Sequence, residues 1–208
     1  MLDIREITSL TPVIPVVTIN DLDHAVPLAR ALLAGGLRVI EVTLGSAPAF
    51  AAVEAMRKAL PAAIIGMGTL TRARDFAAAD RAGAQFGVTP GLTPELAAAA
   101  RGARFPLLPG VMTPTEVMTA RNAGFNVLKL FPAPEAGGVG FLKAMASVFP
   151  DVIFCPDGAT TPDVAADYLS QPNVACIGGS WLTPAPMLCA GDWVGIEALA
   201  REAMRLRK

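Results

Sequence analysis

A single lysine in the middle of an apolar run is the residue with the clearest capacity for chemistry in this sequence. Lys129 lies between Leu128 and Leu130, in the segment VLKLFP at 127–132. Lysine is rarely buried unless its charge is paired or its pKa is shifted. Burial alone lowers the pKa of an ammonium group, which frees the amine to attack a carbonyl carbon. Two interpretations stay open, a Schiff-base nucleophile or a structural ion pair.

A carboxylate interrupts a second apolar run in the same way. Glu41 lies in the segment VIEVTL at 39–44. Two ionisable groups of opposite charge on different buried strands indicate a polar pocket inside an apolar core. Glu41 could carry protons to and from a reacting carbonyl compound, or it could simply neutralise Lys129.

The elements that would position these residues alternate along the chain. The predicted strands cover 13–19, 39–44, 63–69, 86–90, 105–111, 127–132, 152–158 and 174–180. The predicted helices cover 23–34, 47–60, 73–82, 94–101, 114–123, 140–148, 162–169 and 195–206. Strands that read as continuous apolar runs are typical of a parallel sheet buried on both faces. Eight strand–helix pairs predict a single (β/α)8 TIM barrel domain over residues 1–208, with an extra N-terminal helix at 3–10.

An open doubly wound sheet is the alternative fold. It usually places a glycine-rich loop after the first strand, whereas this sequence has Thr18-Ile19-Asn20-Asp21 there. The barrel is therefore favoured, and barrel enzymes build their active sites at the C-terminal ends of the strands. The residues expected to line a substrate pocket at those ends are Thr43, Thr69, Pro90, Phe131, Asp157 and Gly158.

A glycine-rich turn follows the last predicted strand. Gly178, Gly179 and Ser180 could bind phosphate, because glycines let backbone N–H groups approach an anion and the serine hydroxyl adds a donor. Barrels often bind phosphate at the loops after their seventh and eighth strands. Most Gly-Gly-Ser sequences are ordinary turns, so both interpretations remain.

Composition excludes several classes of function. The 208 residues carry a net charge of −1 without a long basic run, which argues against nucleic-acid and membrane partners. Cys155, Cys176 and Cys189 are too few and too scattered for a disulfide framework, which indicates a cytoplasmic location. With a single histidine, His24, neither a zinc site nor a Ser-His-Asp triad is expected.

Nearly the whole chain resembles the 2-keto-3-deoxy-6-phosphogluconate aldolases, which overlap with the 4-hydroxy-2-oxoglutarate aldolases. The segments that carry the resemblance are 22–44, 88–96, 105–116, 128–138, 154–158 and 176–182. The resemblance implies a class I aldolase without metal or cofactor, built as a homotrimer of (β/α)8 barrels. It implies cleavage of 2-keto-3-deoxy-6-phosphogluconate to pyruvate and glyceraldehyde 3-phosphate, as in the Entner–Doudoroff pathway.

The resemblance also assigns roles to residues. The Schiff-base lysine of the family falls on Lys129, and its acid–base glutamate falls on Glu41. The threonine that contacts the pyruvate carboxylate falls on Thr69. The phosphate-binding turn falls on Gly178, Gly179 and Ser180.

The sequence departs from the family pattern where substrate charge is held. Gly45 stands where the family has an arginine that helps to hold the substrate carboxylate. The family segment C-P-T-G-G reads C-P-D-G-A here, which places Asp157 and Ala159, and G-A-G-T reads G-M-G-T, with Met67 expected near the site. An added anion beside phosphate is repulsive by about 1 to 4 kcal/mol at contact distance.

These departures leave three functional hypotheses. The chain could cleave the phosphorylated sugar acid of the family. It could instead prefer another 2-keto-4-hydroxy acid, such as 4-hydroxy-2-oxoglutarate. It could also be a catalytically weakened trimeric scaffold or binding protein, although the presence of both Lys129 and Glu41 argues against this.

Overall fold

The computed structural model describes residues 2–158 and 161–206, and its strands all pair in parallel. The strands are β1 Val13–Val17, β2 Val39–Thr43, β3 Ile64–Gly68, β4 Gly87–Val88, β5 Leu107–Leu108, β6 Gly110–Val111, β7 Val127–Leu130, β8 Ile153–Pro156 and β9 Ile177–Gly179. The helices are α1 Ile4–Ser9, α2 Ala25–Ala34, α3 Ala49–Ala59, α4 Ala73–Arg81, α5 Pro94–Gly102, α6 Pro114–Asn122, α7 Gly138–Val148, α8 Pro162–Leu169, α9 Ala185–Ala190 and α10 Trp193–Met204. The predicted α/β class is confirmed.

Backbone pairing divides the strands into two curled sheets. Six strands follow the order β5-β4-β3-β2-β1-β9, and three follow the order β6-β7-β8. The sequence predicts one strand over 105–111, but the structure splits it into β5 and β6 at Pro109. Proline has no N–H to donate to a ladder, which explains the interruption. The Pro109 carbonyl still accepts a hydrogen bond from the Lys129 N–H at 2.8 Å.

The other edges of the two sheets approach each other at the segment before β9. An isolated parallel bridge joins Phe154 of β8 to Val174. The Phe154 N–H donates to the Asn173 carbonyl at 2.7 Å, and the Ala175 N–H donates to the Phe154 carbonyl at 3.1 Å. The predicted strand over 174–180 is therefore regular only over the three residues of β9, which pair with β1.

Inner-facing side chains form two layers along the strand direction. The lower layer is an apolar cluster of Ile7, Ile14, Val39, Ile64, Phe86, Val88, Leu108, Val127, Cys155 and Cys176. Successive side chains of a strand alternate between faces, so a residue two positions later faces the same way. Glu41, Lys129 and Asp157 each follow a member of this cluster by two residues. The three charged side chains therefore form a layer above the apolar one.

The helices pack against the outer face of the strands and begin and end at recognisable signals. The predicted N-terminal helix is confirmed as α1, where Asp3 and Glu6 form a reciprocal capping box. Thr93 and Thr113 cap α5 and α6 through their side chains, each followed by proline at the first helical position. Gly36 and Gly124 follow α2 and α6 with positive φ, as expected at helix ends.

Some features differ from the sequence-based expectation or lie outside it. Helix α9 is absent from the predicted elements, because its six residues include Pro186 and show too little periodicity to be detected. Ala159, one of the departures from the family pattern, lies outside the described residues. Across 2–158 and 161–206, every helix is too short or too polar to cross a bilayer.

Strand glycines provide the space for large inner side chains, and this can be tested by stability. A Cβ at Gly66 would overlap the ring of Phe86, whereas a Cβ at Gly140 in α7 meets no atom within 4 Å. We expect Gly66→Ala to lower the free energy of unfolding by about 1 to 3 kcal/mol through overpacking. Gly140→Ala should instead raise it by up to about 1 kcal/mol, because alanine is the better helix former. Urea unfolding of both variants measures the difference, and equal stabilities would contradict this account.

Candidate active site

The predicted pairing of Lys129 with Glu41 is found in the structure. Lys129 is at the middle of β7 and Glu41 at the middle of β2, and both are almost fully buried, at 7% and 4% exposed. The Lys129 Nζ lies 3.6 Å from the Glu41 Oε1. It also lies 5.0 Å from the centre of the Phe131 ring, within range of a cation–π interaction. The lysine therefore points to the inner face rather than toward the helices.

Asp157 has a partner that the sequence does not indicate. Its Oδ2 is in direct contact with the Lys129 Nζ, and its carboxylate also lies against Gly178 of the predicted phosphate turn. Its Oδ1 accepts a hydrogen bond from the Gly158 N–H at 2.7 Å. The pairing of Leu130 with Pro156 could have indicated this contact, because it places Asp157 one residue beyond β8 and beside the end of β7.

Two glycines on neighbouring strands make room for the carboxylates. A Cβ at Gly68 would overlap the Glu41 carboxylate, and a Cβ at Gly178 would overlap that of Asp157. Gly178 thus contributes to the site by having no side chain. Met67, which lies between the inward-facing Gly66 and Gly68, packs in the outer core. The expectation that Met67 adds bulk near the site is wrong, because strand alternation turns it away.

The three charges set the protonation of the lysine in a way that burial alone does not predict. Burial acts to lower the pKa of Lys129, but the nearby Glu41 and Asp157 carboxylates outweigh it and raise that pKa above its ordinary value. The ammonium form of Lys129 is therefore the one that its two carboxylate neighbours favour. The sequence-based expectation that burial keeps the amine unprotonated does not agree with this direction of the pKa shift.

The surroundings of Glu41 disfavour its ionised form. Burial raises its pKa, the Lys129 charge lowers it, and the Asp157 charge raises it again, with a net upward shift. Its Oε1 atom is buried and has no hydrogen-bond partner among the described residues. Glu41 therefore favours the protonated state more than an ordinary glutamate does, whereas Asp157 is held by an ammonium ion and a backbone N–H.

The remaining predicted pocket residues lie at the same edge of the sheets but differ in their contacts. The Thr43 hydroxyl lies 2.8 Å from that of Thr18 and donates to the Val17 carbonyl at 3.2 Å. Thr69 is exposed and has a φ of 61°, in the left-handed region that non-glycine residues rarely adopt. Such strain is found at functional sites and elsewhere, so the roles of these residues stay predictions.

The predicted phosphate turn is partly built into a strand. Gly178 and Gly179 are buried in β9 and pair with Ile14 and Pro15. Ser180 is exposed immediately after the strand, and the ring of Trp181 covers Gly179. Pro90 and Gly158 are half-buried at the ends of their strands, and of the two it is Gly158 that contacts the charged trio, through its N–H to Asp157.

Beneath the charged layer, two thiols lie side by side. The Cys155 and Cys176 Sγ atoms are 3.3 Å apart, and both side chains are buried as free cysteines. The hydrogen bond with Cys155, together with burial, raises the pKa of Cys176 well above its ordinary value, so this thiol stays protonated. Within the described part of the chain, no three His, Cys, Asp or Glu side chains are grouped to hold a metal ion.

Comparison with known proteins gives consistent matches over nearly the full length. The family model described as KDPG and KHG aldolase matches residues 4–199. The chain is 47% identical to the KHG/KDPG aldolase of Escherichia coli strain K12, over 96% of this chain and 94% of the relative. It is 44% identical to the 2-dehydro-3-deoxy-phosphogluconate aldolase of Pseudoalteromonas atlantica, over 96% and 93% of the two chains.

Two solved structures are similar in fold as well as in sequence. One is the KDPG aldolase of Legionella pneumophila, with pyruvate captured as a covalent carbinolamine intermediate. Its TM-score is 0.94 at 41% identity, covering 96% of this chain and 97% of that one. The other is the 2-keto-3-deoxy-6-phosphogluconate aldolase of Zymomonas mobilis ZM4 with 3-phosphoglycerate. Its TM-score is 0.93 at 43% identity, covering 99% and 97%.

The raised pKa of Lys129 predicts a specific loss of stability at alkaline pH. A group with a higher pKa in the folded state binds more protons there, so its stabilisation is present below the unfolded value of about 10.5 and is lost as pH rises further. We expect wild-type stability to fall above that pH by up to about 1.4 kcal/mol per unit more than that of Lys129→Met. Urea unfolding between about pH 9 and 11.5 measures this.

The exposed Lys143 provides the matched control, since it lies on the outer surface of α7. Lys143→Met should keep the wild-type dependence on pH. Identical slopes for wild type and Lys129→Met would show that the carboxylates do not hold the ammonium ion.

Proposed function

The chain belongs to the KDPG and KHG aldolase family, and we propose that it is a class I aldolase acting through a Schiff base on Lys129. Its proposed reaction is the cleavage of 2-keto-3-deoxy-6-phosphogluconate to pyruvate and glyceraldehyde 3-phosphate. The observation that carries this proposal is the buried Lys129 ammonium in contact with Asp157 and 3.6 Å from Glu41. A nucleophilic amine and proton-carrying carboxylates are the groups that imine chemistry requires.

The proposed mechanism begins when Lys129 loses a proton and its free amine attacks the C2 ketone. Glu41 relays protons through carbinolamine formation, dehydration and cleavage of the C3–C4 bond. The iminium accepts the electron pair of the broken bond, which gives the enamine of pyruvate and releases the aldehyde. Protonation and hydrolysis of the enamine return pyruvate and the lysine. The captured pyruvate carbinolamine in the Legionella pneumophila relative supports this sequence.

The remaining site residues are proposed as the substrate pocket. Thr69 would bind the keto-acid carboxylate, and Gly178, Gly179 and Ser180 would bind phosphate. The wall between the carboxylate and phosphate positions would be formed by Thr43, Pro90, Phe131 and Gly158. Most of them lie at or just beyond the C-terminal ends of strands, where barrel enzymes bind their substrates, and Gly178 lies within β9.

We also propose that the two sheets form one closed (β/α)8 barrel in a single domain. The gap between β5 and β6 is one residue, Pro109, and the bridge at Phe154 and Val174 joins the other two edges. Both junctions support closure. A homotrimer and a cytoplasmic location, which the family resemblance and the cysteines imply, remain proposals.

The charge of the loops around the site favours the second hypothesis, a shifted substrate. In their described parts, the loops after the strands carry Asp21, Asp23, Glu135 and Asp157, and Arg72 is their one basic residue apart from His24. A phosphorylated substrate would meet a largely acidic entrance. A 2-keto-4-hydroxy acid of lower negative charge is therefore the second candidate, for example 4-hydroxy-2-oxoglutarate, in which a carboxylate stands in place of the phosphate.

Trapping with borohydride tests the covalent step. Incubation with pyruvate and borohydride should add a reduced pyruvate group to Lys129, detected by intact mass and peptide mapping, because hydride reduces the iminium to a stable amine. Lys129→Met should give no adduct, and Lys143→Met should give the wild-type amount. Absence of an adduct, together with absence of deuterium exchange into the pyruvate methyl group, would favour the scaffold hypothesis.

Restoring arginine at position 45 tests the account of the substrate carboxylate. A Cβ at Gly45 meets no atom within 4 Å, so a side chain can start there without displacing neighbours. A charge-assisted hydrogen bond contributes about 1.5 to 3 kcal/mol, so Gly45→Arg should lower the KM for both candidate substrates by about tenfold or more. Steady-state kinetics on both substrates measures this.

Gly102 at the end of α5 also has open space and lies at the opposite end of the strands. Gly102→Arg adds the same charge there and should leave KM unchanged. Asp157→Thr should lower the KM for the phosphorylated substrate alone, because it removes an anion next to the predicted phosphate turn. Unchanged KM values in Gly45→Arg and Asp157→Thr would contradict this explanation of the two positions.

A further inference from the structure

The two carboxylates around Lys129 are not equivalent. The Asp157 Oδ2 is in contact with the Nζ atom, whereas the nearest Glu41 oxygen is 3.6 Å away. The second oxygen of Asp157 accepts a backbone N–H, so the carboxylate is oriented with one atom left for the lysine. The Glu41 Oε1 has no donor of its own. Asp157 is therefore the carboxylate that binds the ammonium ion directly, and Glu41 lies farther from the Nζ atom.

An ammonium ion has no free electron pair, so one proton must leave before Lys129 can attack a ketone. The groups that face Nζ are Glu41 from β2, Asp157 after β8, and the aromatic ring of Phe131. The thiols of Cys155 and Cys176 lie in the layer below, and they are bonded to each other. Among the described groups, the acceptor in direct contact with the proton is Asp157.

We propose that Asp157 is a second catalytic carboxylate, which takes the ammonium proton of Lys129 and keeps it while the covalent intermediate exists. This inference rests on the proposed Schiff-base function and adds a step that Glu41 alone does not supply. It also assigns Asp157 a role different from binding the substrate.

The proton balance of the step is complete within the three residues and the substrate. A proton moves from Nζ to the Asp157 Oδ2, and the nitrogen electron pair then forms the bond to C2 while the ketone π pair moves to oxygen. Protonated Glu41 gives its proton to that oxygen, recovers one from nitrogen, and gives it again to the hydroxyl that leaves as water. The iminium then faces a Glu41 carboxylate, ready to take the proton of the C4 hydroxyl. Asp157 stays protonated until hydrolysis returns the amine.

The decisive experiment compares Glu41→Gln with the double variant Glu41→Gln/Asp157→Asn in pyruvate trapping across pH. An ammonium–carboxylate pair and an amine–acid pair contain the same number of protons, so with Asp157 present the trapping rate should vary little with pH. In the double variant the proton must go to solvent, so the rate should fall tenfold per pH unit below the pKa of Lys129, which burial lowers once both carboxylates are gone. Two pH units below that pKa, the trapping rate of the double variant should be about 100-fold lower than at its alkaline plateau, whereas that of Glu41→Gln should stay nearly constant.

Matched variants separate this role from a general loss of structure. Glu41→Gln/Asp163→Asn removes an exposed carboxylate from the first turn of α8 and should behave as Glu41→Gln. Glu41→Gln/Asp157→Thr should repeat the steep pH profile if the asparagine variant does not fold. Equal pH profiles with and without Asp157 would overturn the proposal. No adduct in the wild-type protein would instead refute the Schiff-base function itself.

A second measurement tests whether Asp157 keeps the proton. Infrared difference spectra of protein labelled with [4-13C]aspartate, recorded with saturating pyruvate and no reductant, should show a new carbonyl band of an un-ionised aspartic acid. The band should be absent in Asp157→Asn and unchanged in Asp163→Asn. Its absence in the wild-type protein, at a pyruvate concentration that gives full trapping, would overturn the proposal.

Discussion

One buried cation between two carboxylates is the interaction on which the rest of this structure depends. A lone ammonium ion on the inner face of the sheets would have to leave water without compensation, which costs several kcal/mol. Asp157 in contact and Glu41 at 3.6 Å compensate for it, and each carboxylate likewise depends on the lysine. Removing the lysine would leave two buried carboxylates without a counter-ion. The trio therefore links β2 of the six-stranded sheet to β7 and the end of β8 in the three-stranded sheet.

The apolar layer beneath this trio explains why the charges remain together. Val39, Val127 and Cys155 occupy the inner positions two residues before Glu41, Lys129 and Asp157. The side chains of this apolar layer offer no charged partner to the lysine. Gly68 and Gly178 remove the Cβ atoms that would otherwise occupy the space of the carboxylates. The charged layer therefore depends on small residues as much as on charged ones.

The sequence predicts features that depend on local interactions better than features that depend on contacts between distant segments. Because strand alternation is a local property, one charged residue in each of two apolar runs is sufficient to predict that Lys129 and Glu41 share a pocket. The contact between Asp157 and Lys129 depends on the register between β7 and β8, which a single sequence does not reveal. For the same reason burial alone gave the wrong direction for the Lys129 pKa. The short helix α9 has a weak local signal, whereas the division at Pro109 has a clear one, a proline inside a strand run, that the prediction of one strand over 105–111 did not use.

The unpartnered Oε1 atom of Glu41 has a consequence for recognition. It lies 3.6 Å from the Lys129 Nζ, too far for a hydrogen bond, and a buried acceptor without a donor costs about 1 to 3 kcal/mol for a typical group. A ligand that brings a hydroxyl group to this atom relieves that penalty, while a ligand of the same shape without one does not. The position of one buried oxygen atom therefore discriminates between such ligands.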